Sequence, residues 1–137
     1  MKRIILSLLA FTVVNTVFAQ KEPESKLMEK ARDIHQKAIT IDTHADINVN
    51  NFTATRNYTM DLENQVTLPK MKEGGLDVAW FIVYTGQGDL TPDGYEKAYA
   101  NAMEKFEAIH RLVKEIAPDQ IGLATSSAEV KDLVSQG

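Results

Sequence analysis

An α/β fold built on parallel strands follows from three features of the sequence. A short β-branched run, Ala38-Ile39-Thr40-Ile41-Asp42, has the character of a strand buried on both faces. A longer apolar run, Leu76 to Thr85, has the same character more strongly. Helix-starting signals lie between and after these runs, and strands that alternate with helices predict a parallel sheet joined by right-handed crossovers. The chain has 137 residues, enough for one ordinary domain and one core.

The elements are predicted in order as follows. Pro23 suits a first helical turn, and Leu27, Ala31, Ile34 and Ala38 recur on one face, so this helix is expected to cover one end of the domain. The first strand, 38–42, comes next. Residues 47–67 are polar, rich in Asn and Thr and without a clear period, which predicts a long loop; loops of that length are usually functional. Thr67 or Leu68 precedes a short helix with Pro69 in its first turn, and Gly74 is expected to end it in a left-handed conformation. The second strand, 76–85, is followed by a turn at Gly86-Gln87-Gly88. Thr91 caps a long helix with Pro92 in its first position. Its predicted buried stripe is Tyr95, Tyr99, Ala102, Phe106, Ile109, Val113 and Ile116, and Pro118 ends it. Ile121–Thr125 is expected as a third strand. Ser126 and Glu129 form a capping box at the head of a last helix, with Val130, Leu133 and Val134 on one face.

Composition narrows the function. An apolar share of 44% and a charged share of 25% are those of a globular domain. The net charge of −4, with no basic stripe, argues against nucleic acid as a partner. The chain has no cysteine, which excludes disulfides, thiolate zinc clusters and a lipid-modified N-terminal cysteine. Residues 1–19 have the pattern of a signal peptide: Lys2 and Arg3, then an apolar stretch from Ile4 to Phe18, then Val17-Phe18-Ala19 as a cleavage pattern. Cleavage is expected after Ala19, which makes the protein exported, periplasmic or extracellular. The stretch is short for a membrane span, which takes about 20 apolar residues, and Thr12, Asn15 and Thr16 dilute it, so no stable membrane span is expected. Without the leader, 13 Lys and Arg face 19 Asp and Glu, a net charge of −6. Two N-x-T sequons, at Asn51 and Asn57, read as part of a polar loop and not as glycosylation sites.

One constellation points to chemistry. His44 and Asp46 follow the first strand and are two residues apart, and in extended chain residues i and i+2 face the same way. Their Cα atoms are then about 6–7 Å apart, from a rise of about 3.3 Å per residue. An imidazole and a carboxylate so placed can converge on one cation at bond lengths of about 2.0–2.2 Å. Asp42 precedes the pair by two and is positioned to orient or support it. The other histidines, His35 and His110, lie within predicted helices and read as structural residues. Gly86-Gln87-Gly88 continues into neither a dinucleotide fingerprint nor a P-loop, and no serine sits in G-x-S-x-G.

The stretch AITIDTHADI resembles the first barrel strand of the membrane (renal) dipeptidase family, which carries D-x-H-x-D there. LPKMKEGGLDVAWFIVYTGQG is similar to that family's next block, and the long helix and IGLATSSAEV continue in the same order. The resemblance implies a (β/α)8 barrel of the amidohydrolase type, with two Zn2+ ions, a dipeptide substrate and a metal-activated water that attacks the peptide carbonyl. It implies that His44 and Asp46 bind the first zinc, and it makes a homodimer an expectation. Two departures stand out. Ala45, Ile47 and Asn48 differ from the family's usual residues around the ligands, and the family's bridging glutamate and two later histidines would fall beyond Gly137. A closed barrel of this kind takes about 250 residues, so residues 20–137 are expected to form the incomplete, N-terminal part of a partial TIM-type barrel domain, inactive by itself. The alternatives are a truncated, non-catalytic exported fragment, or another amidohydrolase-type barrel hydrolase; the latter often carry H-x-H on the first strand, which Asp46 argues against.

Overall fold

A computed structural model describes residues 24–137, so the expected leader at 1–19 and the helix-starting role of Pro23 lie outside the described residues. The elements are α1 (Glu24–Lys37), β1 (Ile41–Asp46), α2 (Leu68–Gly74), β2 (Val78–Ile82), α3 (Pro92–Arg111) and α4 (Ser127–Gln136). A 3-10 turn, Val49–Asn51, follows β1, and a π turn, Leu112–Ile116, extends α3. β1 and β2 pair in parallel, as expected of an α/β chain. β2 is shorter than the apolar run that predicts it, and β1 begins and ends later than its run, so that His44 and Asp46 lie within it.

Local chemistry explains the helix boundaries. Thr91 Oγ1 accepts the Gly94 amide at 3.1 Å at the head of α3, with Pro92 in the first turn. Thr67 is the N-cap residue of α2, and Pro69 lies in that helix's first turn. The left-handed residue after α2 is Gly75, with φ of 65°, one position later than predicted. A side chain there would be strained by that φ, and its Cβ, 2.6 Å from His35 Nε2, would also require the exposed His35 ring to shift. Ala117 leaves helical geometry just before Pro118, whose ring disfavours the helical conformation in the residue it follows.

At the head of α4, Ser126 Oγ accepts the Glu129 amide at 3.3 Å. The Glu129 carboxylate reaches back to Thr125, accepting its N–H at 2.6 Å and its hydroxyl at 2.9 Å. The backbone and hydroxyl bonds from Thr125 hold the Glu129 carboxyl below its ordinary value of 4.5. A lowered folded value means that this support is complete above pH 4.5 and is lost as the pH falls through the folded value. In an acid titration the helical Cα chemical shifts of the first turn of α4 are therefore expected to move toward coil below pH 4.5, and in Glu129→Gln to show no such step.

The core sits where the loop after β1 meets α2, β2 and the C-terminal half of α3. Residues 47–67 were expected to be an irregular polar loop, but they carry much of the core: Ile47, Phe52, Tyr58 and Leu62 are buried beside Leu68, Met71, Ala108 and Leu112. Phe52, Tyr58 and Phe81 stack against one another at centroid distances of 4.5, 5.5 and 6.2 Å. Burial pushes the Tyr58 phenol up from its ordinary range. The Asn residues that made the loop look solvated satisfy its backbone. Asn57 donates to the Thr53 carbonyl at 3.0 Å and accepts from Thr59 N–H and hydroxyl at 3.0 and 2.7 Å. Asn51 donates to Asn64 and accepts from Arg56, each at 2.7 Å. Both sequon asparagines are thus buried and hydrogen-bonded, which agrees with a structural role. The Lys70 ammonium donates to the carbonyls of Leu62 and Asn64, and Arg111 Nε donates to the Phe52 carbonyl at 3.0 Å.

Three expectations are corrected. Ile121–Thr125 pairs with no strand among the described residues; a strand requires a neighbour's hydrogen bonds, and this segment instead lies against α4, where a Cβ on Gly122 would meet Leu133 at 2.7 Å. Of the stripe predicted on α3, Ile109 and Ile116 pack against the core while Tyr95, Tyr99 and Phe106 are exposed, and the buried residues, Ala108 and Leu112, lie outside that stripe. Helix α1 buries no residue of its own, and its apolar face is not part of the core. With two parallel strands described, a barrel is not itself visible. Among the described residues no helix is long and apolar enough to cross a membrane.

Candidate metal-binding pair

The start of the sheet is clasped by Thr40 and Asp77. The Thr40 amide donates to the Asp77 carboxylate at 2.8 Å, and the Asp77 amide donates to the Thr40 hydroxyl oxygen at 2.9 Å. The Thr40 hydroxyl donates to the Gly75 carbonyl at 2.6 Å. Above this clasp, Ile41 and Asp42 lie beside Val78 and Ala79, and Ala45 and Asp46 lie beside Phe81 and Ile82. Ala79 and Phe81 pack against the core, and residues side by side on two strands share a face. Ala45 therefore points inward, and by alternation His44 and Asp46 point to the open face, where Trp80 is also exposed.

His44 and Asp46 meet at the C-terminal end of β1. His44 Nε2 lies 3.7 Å from Asp46 Oδ1, and the two side chains are 70% and 76% exposed. A contact so solvated adds little to stability. What it offers is an imidazole nitrogen and a carboxylate oxygen side by side, close enough to share one cation. Asp42 does not join them. Its Oδ1 accepts the His44 backbone N–H at 2.9 Å. Among the described residues no group of three His, Asp or Glu side chains is arranged to hold a metal.

The other two histidines lie away from this pair and make contacts of their own. His35 Nε2 lies 3.0 Å from the Gly74 carbonyl, at the end of α2. His110 stacks against Phe106 at 4.4 Å. Sequence reasoning missed Lys105, whose ammonium donates to the Tyr84 carbonyl and lies 5.6 Å from the Tyr84 ring, tying α3 to the chain just past β2. Nothing in the local pattern around Lys105 separates it from Lys97, the other lysine of that helix.

Comparison with known proteins gives one family and one fold. Residues 28–137 match the model of the membrane dipeptidase family, peptidase family M19. No curated protein matches the chain. The crystal structure of the probable dipeptidase PvdM from Pseudomonas aeruginosa is similar, with a TM-score of 0.73 at 20% identity over 84% of this chain. At that identity the likeness speaks for the fold, and the chain spans 30% of the PvdM chain.

Proposed function

This chain belongs to the membrane dipeptidase family, and on that premise we propose that it serves the zinc-dependent hydrolysis of dipeptides, with His44 and Asp46 as ligands to the metal. The observation that carries the proposal is the approach of His44 Nε2 and Asp46 Oδ1 to 3.7 Å on the open face of β1. We take β1 and β2 as the first two strands of a TIM-type barrel, whose active sites gather at the C-terminal strand ends. The expected leader makes the protein exported.

The donor set suits zinc: one imidazole nitrogen and one carboxylate oxygen, both reachable from solvent. Zinc, when bound, supplies a Lewis acid that activates water and polarises the peptide carbonyl. Asp46 contributes a negative charge that offsets part of the cation's, and His44 a neutral donor whose backbone is fixed by Asp42. Catalytic zinc sites use about three protein ligands, and the described residues bring together two. That count favours a second reading, in which the 137-residue chain holds zinc weakly and turns nothing over.

A direct assay separates the two. Cleavage of Ala-Ala-type dipeptides by the purified protein, stripped with a chelator and resupplied with Zn2+, would support the first reading. Zinc uptake without turnover would support the second reading. Turnover that survives chelation would overturn both.

A further inference from the structure

β1 carries one residue more than β2 between their matched pairs: from Asp42 to Ala45 is three steps, while from Ala79 to Phe81 is two. The clasp between Thr40 and Asp77 fixes the register below this point. Continued from there without the extra residue, the strand would set His44 beside Phe81, on the core face. Shifting a strand by one residue exchanges its two faces. His44 and Asp46 would then point into the core, and Ala45 and Ile47 out of it. The observed shift does the opposite: Ala45 and Ile47 are buried, and His44 and Asp46 are exposed. Bulges of this kind re-aim side chains and are frequent beside active sites.

The bulge has a visible support. The residues between the matched pairs are Thr43 and His44, and the His44 amide is taken up by the Asp42 carboxylate. A carboxylate that accepts the amide two residues on closes an Asx turn and can stand in for a missing ladder bond. Asp42 is therefore placed to hold the extra residue and, through it, the direction in which the next two polar side chains point. We propose that Asp42 is a positioning residue: its bond to the His44 amide stabilises the bulge that delivers His44 and Asp46 to the open face, ready for a metal. This rests on the reading of that pair as metal ligands. The bond itself can be tested without any metal.

The experiment compares Asp42→Ala and Asp42→Asn with the wild-type chain. Asn keeps a side-chain oxygen that can accept the His44 amide, and Ala keeps none. The first readout is hydrogen exchange at the His44 amide, followed by NMR in metal-free protein. Protection is expected in the wild type and in Asp42→Asn, and to be lost in Asp42→Ala. Protection retained in Asp42→Ala would overturn the proposal.

The second readout is titration with Co2+, followed by its visible absorption, with thermal melts run alongside. Asp42→Ala is expected to bind Co2+ about 10–100-fold more weakly, the effect of removing a group that supports a metal ligand. Asp42→Asn should stay near the wild type, with melting temperatures little changed. Equal losses in Asp42→Asn and Asp42→Ala would make Asp42 a ligand or a necessary charge, and would overturn the positioning role. If Asp42→Ala binds normally while His44→Ala does not, the positioning role fails and the metal reading stands. If His44→Ala binds Co2+ as the wild type does, the metal reading fails and takes the metal half of this proposal with it.

Discussion

Phe52→Ala is expected to destabilise the chain by about 3–5 kcal/mol, the usual cost of truncating a buried aromatic residue. Phe52 is fully buried, and its ring packs on Tyr58 at 4.5 Å and on Phe81 at 6.2 Å. Its carbonyl also takes the Arg111 guanidinium at 3.0 Å, so the same residue ties the loop after β1 to the end of α3. Whole domains are stable by only about 5–15 kcal/mol, and such a loss would bring much of the population close to unfolding. Urea denaturation followed by circular dichroism measures it directly. Trp80→Phe, on the exposed face of β2, is the control and should shift the midpoint little, since surface changes cost within about 0.5 kcal/mol. A cost below about 1 kcal/mol for Phe52→Ala would mean that the aromatic cluster does not hold the loop.

That loop also marks the boundary of what is legible in the sequence. Periodicity and capping chemistry foretold α2, α3, α4 and the parallel pairing of β1 with β2, because each depends on residues close in the chain. The Thr91 and Ser126 caps are examples: the hydroxyl and the amide it accepts are three residues apart. Residues 47–67 have no period because their burial follows no regular face. Phe52 and Tyr58 are separated by a tight turn that Thr53, Arg56 and Asn57 close with their own polar groups. Polar composition therefore suggested solvent where the Asn side chains bond within the segment, beneath an aromatic cluster. The stripe on α3 failed for a different reason. Its spacing is correct for a helix, but which turns and which edge of the face meet the core depends on where β2 and the loop lie: Tyr95 and Tyr99 are exposed, and Ala108 and Leu112, outside the stripe, are buried.

The candidate pair was legible in part. Alternation alone predicted that His44 and Asp46 share a face. Asp42, read as orienting or supporting the pair, lies on the other face because of the bulge, with its carboxylate on the His44 amide. Ile39, Ile41, Thr43, Ala45 and Ile47 keep one period of two in the sequence, so nothing local announces an extra residue. The bulge becomes visible only when β1 is matched to β2. Ile41 then falls beside Val78 and is exposed, while Ala45 falls beside Phe81 and is buried.

Because His44 and Asp46 are exposed and linked only across 3.7 Å, replacing either is expected to leave the fold intact while removing metal-dependent function. His44→Ala and Asp46→Ala should each cost more than about 100-fold in Zn2+ affinity, beyond the roughly 10–100-fold of an outer supporting residue. Asp46→Asn makes the sharper comparison. It preserves volume and one oxygen but removes the negative charge set against the cation, so a loss close to that of Asp46→Ala would identify charge, and not shape, as its contribution. Calorimetric titration with Zn2+ gives the affinities, and dipeptide hydrolysis at saturating Zn2+ gives the activity that remains. Melting temperatures within a few degrees of the wild type would separate a lost site from a lost fold, at about 2–8 °C per kcal/mol for domains of this size. Unchanged Zn2+ binding in both alanine variants would remove His44 and Asp46 from the site and leave family membership without a metal centre in this part of the chain.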